Sequence, residues 1–422
     1  MKGTLLLTAG ALALRAVGVL FHGWLARTLG PEGMGLLQLI FTLGAFAGTL
    51  GSSGSRVAVL QLAAAARGRG DRQALAGVLW GCLGYGLLAG SGTAVLLCIL
   101  SGPLSLRLLP EPGTAGALKI LALFLPCTVV CGILRGFLTA CGRLAALTGA
   151  ELLERLACVG LTVLFLRWAG QELTGVLRGV LLAGGCAGLL QLGLLALPVR
   201  RERLPRGVPP DRTVAKTCLP LALNDYLRSG LGAVEQFLIP YGLGKYSSAS
   251  AGLAAYGIIA AMVFPVITLP EEMLYAMSDL MISELARLKA NRELGRLRTL
   301  VGKSLACTSG LAAATAAGLY FAGPAMGRLI FHSEQAGRLL RLFSPMVLFR
   351  YPDATVDGLQ KGLGQQLWLV RYNSLTNVID VAGLFLLLPR FGIWGYIATY
   401  VTSHLVNLFL SLRRLLIALE EA

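Results

Sequence analysis

Charged residues are scarce in this chain. Only 14% of its 422 residues are Asp, Glu, Lys or Arg, and its mean hydropathy is +0.72, whereas a soluble chain has about 25% charged residues. The composition therefore predicts an all-α polytopic membrane protein. The 37 basic residues outnumber the 21 acidic ones. This excess does not indicate nucleic acid, because the basic residues lie mostly in short loops between apolar runs, where the positive-inside rule places them.

Three features that the sequence lacks limit its chemistry further. The nine cysteines include no CxxC or Cys/His cluster, so we expect no metal site. No GxxxxGK[ST] loop is present, so ATP is not expected to drive the protein. A membrane enzyme would need a large outer loop with catalytic groups, but the loops on that side are short and only His332 lies in one. We expect no catalytic residue and no cofactor, and we interpret His22 and His404 as hydrogen-bonded packing residues.

The apolar runs indicate about twelve membrane-spanning helices. Lys and Arg are concentrated in alternate loops, so both termini are expected in the cytoplasm. The predicted spans are residues 4–26, 35–61, 75–100, 116–140, 148–167, 176–198, 217–240, 250–275, 304–323, 339–360, 367–388 and 393–412.

A polar stretch with several prolines, VRRERLPRGVPPDRTVAK, divides the chain near its middle. A weak internal repeat supports this division, because Pro126 and Pro345 lie in similar surroundings 219 residues apart. We predict two lobes of about six helices each around a central cavity, as in transporters built from repeats. The predicted N-terminal lobe is 1–198, the cytoplasmic linker is 199–216 and the C-terminal lobe is 217–422.

Five arginines interrupt the apolar spans. A charged side chain at mid-membrane costs roughly several kcal/mol or more unless it faces a partner or a cavity. Guanidinium groups bind phosphate in a fork geometry, so a cavity lined by arginines would suit a large anionic head group. The candidate substrate-binding residues are Arg15, Arg56, Arg135, Arg228 and Arg350.

Carboxylates in the same spans provide candidates for coupling to H⁺ or Na⁺. These are Asp225, Asp353, Asp357 and Glu235. The alternative for any of these charges is a structural ion pair. Asp225 and Arg228 are three residues apart and could form such a pair on one helix.

Four segments from both halves resemble the polysaccharide flippases related to stage V sporulation protein B. They read RAVGVLFHGWLARTLGPEGMGLLQLI, AELLERLACVGLTVLFL, LAAYGIIAAMVFPVITLPEEMLYAMSDLMISELA and LPRFGIWGYIATYV. These flippases belong to the superfamily of multidrug, oligosaccharidyl-lipid and polysaccharide exporters. The resemblance implies alternating access and movement of a polyprenyl-pyrophosphate-linked saccharide across a bacterial plasma membrane. We expect a monomer that contacts membrane lipids.

The resemblance also marks where this chain departs from its relatives. The related lipid II flippases have cavity arginines on their first, second and eighth helices, and Arg15 and Arg56 match the first two by position. A further first-helix arginine would fall at Phe21, and span eight has Glu271 and Glu272 instead. These departures leave the exact head group open. Two other functions are also possible alternatives: a cation-coupled multidrug exporter, whose cavity should be acidic or apolar, and a membrane-embedded glycan-processing enzyme.

Overall fold

A computed structural model describes residues 2–109, 111–168, 172–202, 204–205, 213–291 and 293–420. These residues form α-helices joined by short turns, and the described part of the chain contains no β-strand. The helices are α1 (Lys2–Ser52), α2 (Ser55–Gly68), α3 (Arg72–Arg107), α4 (Ala115–Ala140), α5 (Leu144–Leu166), α6 (Leu173–Arg201), α7 (Thr213–Tyr246), α8 (Ala249–Ile258), α9 (Phe264–Thr268), α10 (Glu271–Ala290), α11 (Leu294–Ile330), α12 (Glu334–Phe343), α13 (Val347–Gly362), α14 (Gln366–Phe391) and α15 (Ile393–Glu420).

Eight helical segments in the described part are long and apolar enough to cross a membrane. They confirm the predicted all-α polytopic fold, while the predicted total of about twelve crossings stays a prediction. Helices α5 and α7 are not among the eight, although both are long enough. Both carry several charged residues within their apolar sequence, and charged residues are costly inside a membrane. The eight segments are Val17–Ser52, Arg72–Arg107, Ala115–Ala140, Leu173–Arg201, Ala249–Thr268, Leu294–Ile330, Leu367–Phe391 and Ile393–Glu420.

The helices pack into two compact units, one of residues 36–234 and one of residues 1–35 with 235–422. The predicted lobes 1–198 and 217–422 with their central cavity stay predictions. Helix α6 ends and α7 begins within the predicted linker 199–216, and residues 203 and 206–212 of that linker lie outside the described residues.

The unit of residues 36–234 has a core formed by α2, α3, α4, α6 and α7. Phe137, Ile133, Val59 and Leu195 are fully buried there. In the other unit, α10, α11, α13 and α15 bury a second cluster around Leu285, which is also fully buried. Burial of apolar side chains against each other fixes the helices that carry the polar residues described below.

Left-handed backbone occurs between the first two predicted spans and again within the second, in both cases at small residues. Helix α1 kinks at Gly30, whose φ is 68°. It ends before Ser53 and Gly54, with φ of 46° and 73°, and α2 begins at Ser55. Glycine adopts positive φ without the steric cost that Cβ imposes. The small residues of GSSGS thus allow the helix break within the second predicted span.

Prolines mark the breaks in predicted spans eight and ten. Between α8 and α9 the chain makes a π-helical turn over Ile259–Val263, just before Pro265. A short 3₁₀ turn containing Pro345 separates α12 from α13. Proline lacks the N–H that a continuous α-helix needs, so interruptions at these residues are expected.

Candidate functional site

A cavity of about 720 Å³ lies inside the unit of residues 36–234. Its wall comes from the end of α1, the start of α2, and from α4, α5, α6 and α7. Three of the predicted arginines line it, together with two carboxylates. The charged lining residues are Arg56, Arg135, Arg228, Glu154 and Asp225.

Arg56 reaches the cavity because the helix break places it in the first turn of α2. The break is held by hydroxyl groups. Ser53 Oγ lies 2.7 Å from the Tyr226 hydroxyl and 2.8 Å from the Tyr85 hydroxyl, and the Tyr226 hydroxyl is also 3.1 Å from the carbonyl oxygen of Leu50. These contacts join the break to α3 and α7, which fixes where α2 starts.

Arg135 lies on the face of α4 that contacts Arg56. A Cβ added at Gly132 would meet the Arg56 Cδ atom at 3.8 Å, so the stem of Arg56 passes over this glycine, and Arg135 follows three residues later. Arg135 Nη2 donates a hydrogen bond of 2.6 Å to Gln191 Oε1. Its Nε lies 3.7 Å from Glu151 Oε1. Arg135 is therefore held between α5 and α6.

Arg228 and Asp225 face the cavity from α7 without binding each other. Within the described residues, neither Arg228 nor Arg56 has an ion-pair partner. The pairing of Asp225 with Arg228 that their spacing allows is thus not formed. Two guanidinium groups line one cavity with no carboxylate paired to either, which leaves both able to bind an anion.

Arg350 has a different environment, in the unit formed by residues 1–35 and 235–422. Its Nε lies 2.8 Å from Glu271 Oε2, and the Glu271 side chain is only 2% exposed. Arg350 Nη1 also donates to the hydroxyl of Tyr400. The structural ion pair that the sequence left open is the arrangement found at Arg350.

Acidic side chains of the same unit join α7, α13, α14 and α15. Asp353 accepts a 2.8 Å hydrogen bond from Asn407 Nδ2 and lies 2.9 Å from His404 Nδ1. Glu235 is half-buried and interacts electrostatically with Asp380. Asp380 in turn interacts electrostatically with His404 and lies close to the Ser403 side chain. This set of residues, Glu235, Asp353, Asp380, Ser403, His404 and Asn407, is called the acidic network below.

The comparison with protein families decides the affiliation of the chain. The model of the family described as "Polysaccharide biosynthesis protein" matches residues 1–216 of 422. The chain belongs to this family. Stage V sporulation protein B of Bacillus subtilis (strain 168) is 23% identical over 428 residues, which cover 96% of this chain and 81% of that relative.

Solved structures show the fold of this polysaccharide biosynthesis family member. It is similar to the inward-facing conformation of a multidrug resistance MATE family transporter of the MOP superfamily, with a TM-score of 0.80, 17% identity and coverage of 98% of this chain and 96% of that one. The outward-facing conformation of such a transporter gives 0.68 at 16% identity, covering 99% and 95%. Family and fold confirm the resemblance to this superfamily and support a membrane transporter or flippase.

The remaining predicted residues have different outcomes in this family member. The side chain of Arg15 lies outside the described residues, as does that of Glu272. Asp357 is half-buried on α13, one turn beyond Asp353. In the described part of the chain, no group of three or more His, Cys, Asp or Glu could hold a metal ion. The binding roles proposed for these residues stay predictions.

Sequence reasoning missed three polar residues. Glu154 lines the cavity from α5, Gln191 lines it from α6, and Asp380 belongs to the acidic network. Asp380 could have been found, because a carboxylate within the apolar run 367–388 is itself a signal. Gln191 carries no charge, so a search for intramembrane charges passes over it.

Proposed function

We propose that this chain is a flippase that moves a saccharide or cell-wall precursor linked to a polyprenyl pyrophosphate. It would work by alternating access in the bacterial plasma membrane, with both termini in the cytoplasm. Membership of the polysaccharide biosynthesis family and the transporter fold support this proposal, and the chemistry of the cavity makes it specific.

The observation that carries the proposal is that Arg56 and Arg228 both line the cavity and that neither has an ion-pair partner among the described residues. Placing a guanidinium inside a membrane protein is costly unless an anion or water solvates it. Pyrophosphate offers several oxygens with a geometry that matches the guanidinium fork. A lipid-linked pyrophosphate therefore satisfies both arginines when it enters the cavity.

The start of α2 adds to the positive potential at this place. Gly54 is the N-cap residue and lines the cavity, and no side chain caps the helix. The free N–H groups of a helix N-terminus carry a partial positive charge that favours phosphate. The helix terminus and Arg56 would thus act on the same anionic group.

A cation-coupled multidrug exporter is the second candidate, because the similar solved structures are multidrug transporters. The cavity lining argues against it. Three arginines and two carboxylates give the cavity a net positive charge, which repels the organic cations that such exporters carry.

The acidic network is the proposed coupling site for H⁺ or Na⁺ in either case. Its carboxylates come from three helices, and Asp353 contacts both His404 and Asn407. The sequence predicted this role for Asp225, Asp353, Asp357 and Glu235, of which Asp353 and Glu235 belong to the network. We add Asp380 to the proposed site, because it interacts electrostatically with Glu235.

The test compares transport by three variants in proteoliposomes. Arg56→Gln and Arg228→Gln should each reduce translocation of a fluorescent polyprenyl-pyrophosphate saccharide at least tenfold. Arg107→Gln is the matched control, because Arg107 is exposed at the end of α3 and does not line the cavity. Transport at the wild-type rate in both cavity variants would refute the proposal. Efflux of a cationic dye that those variants leave unchanged would favour the multidrug exporter.

A further inference from the structure

Gln191 presents an unused hydrogen-bond donor at the cavity. The residue is 3% exposed and lines the cavity. Its Oε1 accepts from Arg135 Nη2 at 2.6 Å, and arginine can only donate, so the amide orientation is settled. Among the described residues, Gln191 Nε2 has no hydrogen-bond partner. A buried amide donor without an acceptor is costly, so this group requires an acceptor from the cavity.

The backbone of α6 is open beside Gln191. Gly184 and Gly188 precede it by seven and three residues, on the same helix face, and line the cavity. A Cβ at either position would meet nothing within 4 Å. Gly185 differs, because its Cβ would overlap the ring of Phe124. The two cavity glycines are therefore not required for helix packing, and they leave room for a flat ring against the helix.

An acceptor lines the same cavity. Glu154 faces it from α5, and its Oε2 lies 3.9 Å from Arg155 Nε. That distance is too long for a hydrogen bond, so the carboxylate can still accept one. A carboxylate here repels phosphate but accepts hydrogen bonds from hydroxyl or amide N–H groups. The donor of Gln191 and the acceptor of Glu154 together fit a neutral polar group that both accepts and donates.

We infer that Gln191 and Glu154, beside the open backbone at Gly184 and Gly188, form a subsite for an acylamino sugar of the cargo. The acylamino carbonyl accepts from Gln191 Nε2, and an amide or hydroxyl proton is donated to Glu154. Arg56 and Arg228 bind the pyrophosphate in the same cavity. This inference rests on the proposed function for the identity of the carrier, but it concerns a different part of the ligand.

The experiment measures binding of two lipids to the purified full-length protein in nanodiscs. The probes are undecaprenyl pyrophosphate and undecaprenyl-pyrophosphoryl-N-acetylglucosamine, and the readout is the ratio of their dissociation constants. The wild type should prefer the glycosylated lipid. Gln191→Leu should reduce this preference about fivefold, as expected for one or two hydrogen bonds.

Two further variants separate binding from folding. Gln191→Glu keeps an acceptor for Arg135 and replaces only the amide donor, so it should reduce the ratio as Gln191→Leu does. The added charge weakens pyrophosphate binding for both lipids and cancels in the ratio. Gly188→Leu should fill the subsite and also reduce the ratio. Gly193→Leu is its control, because Gly193 lies outside the cavity and its Cβ would also meet nothing within 4 Å.

The outcomes distinguish the two proposals. A ratio that stays at the wild-type value in both Gln191 variants overturns the sugar subsite, even when both lipids bind. Equal loss of affinity for both lipids in Gln191→Leu shows a purely structural residue and also overturns it. A wild type that binds neither lipid overturns the proposed function and the subsite with it.

Discussion

The ion pair between Arg350 and Glu271 leads to a prediction that separates stability from transport. The perturbation is a set of three variants: Arg350→Met, Glu271→Gln and the double variant. Each single variant removes one side of the ion pair between Arg350 and Glu271. The double variant removes both charges and keeps both side-chain volumes.

The expected loss of stability follows from the geometry of the ion pair. At the observed 2.8 Å between Arg350 Nε and Glu271 Oε2, the Coulomb attraction is about 6 kcal/mol at an effective dielectric constant of about 20. Desolvation of the two ions opposes it by a similar amount. Removing one partner should therefore cost about 3–5 kcal/mol, whereas removing both should cost about 1 kcal/mol or less.

The assay is unfolding of the purified protein in detergent, followed by tryptophan fluorescence, alongside transport in proteoliposomes. Arg338→Met serves as the control, because Arg338 is exposed on α12 of the same unit. We expect both single variants to be strongly destabilised and the double variant to recover most of the stability and the transport.

Two results would refute this reasoning in different ways. A cost below about 1 kcal/mol for Arg350→Met would show that the pair is not a significant stabilising contact. A double variant that is as stable as the wild type but inactive would show that Arg350 acts on the cargo, as the sequence predicted.

Two other predictions concern the same unit. Gly257→Leu should prevent α8 from packing against α1, because a Cβ there would overlap the carbonyl oxygen of Pro31 and lie 2.5 Å from the Gly35 nitrogen. The yield of folded protein should therefore fall, whereas Gly310→Leu, in open space, should leave the yield unchanged. Equal yields of the two variants would contradict the packing argument. Asp353→Asn should weaken the response of transport to an imposed H⁺ or Na⁺ gradient, because it removes the carboxylate that contacts His404 and Asn407, with cargo binding unchanged. A response identical to that of the wild type would exclude this carboxylate from coupling.

The sequence was sufficient to find charges in apolar runs, because the cost of a charge in the membrane depends on local composition alone. That is why Arg56, Arg135 and Arg228 could be proposed together before their contacts were known. The break at GSSGS was also predictable, because small residues and positive φ are local properties.

The partners of these charges could not be predicted. Arg350 and Glu271 are 79 residues apart, and pairing over that distance depends on how the helices pack. The spacing of Asp225 and Arg228 suggested an ion pair, yet both instead face the cavity. The role of Gln191 could not be predicted either. Its Nε2 lacks a partner among the described residues because its Oε1 accepts from Arg135, and that contact depends on how α4 and α6 pack.

The composition of the two units affects the order in which the protein can assemble during synthesis. Residues 36–234 form a continuous unit that can fold as soon as it leaves the ribosome. Residues 1–35 are made before it, but their unit is completed only by residues 235–422. Gly23 contacts Ile330, and Gly35 contacts Leu253, so the start of the first helix must wait in the bilayer for partners made more than two hundred residues later.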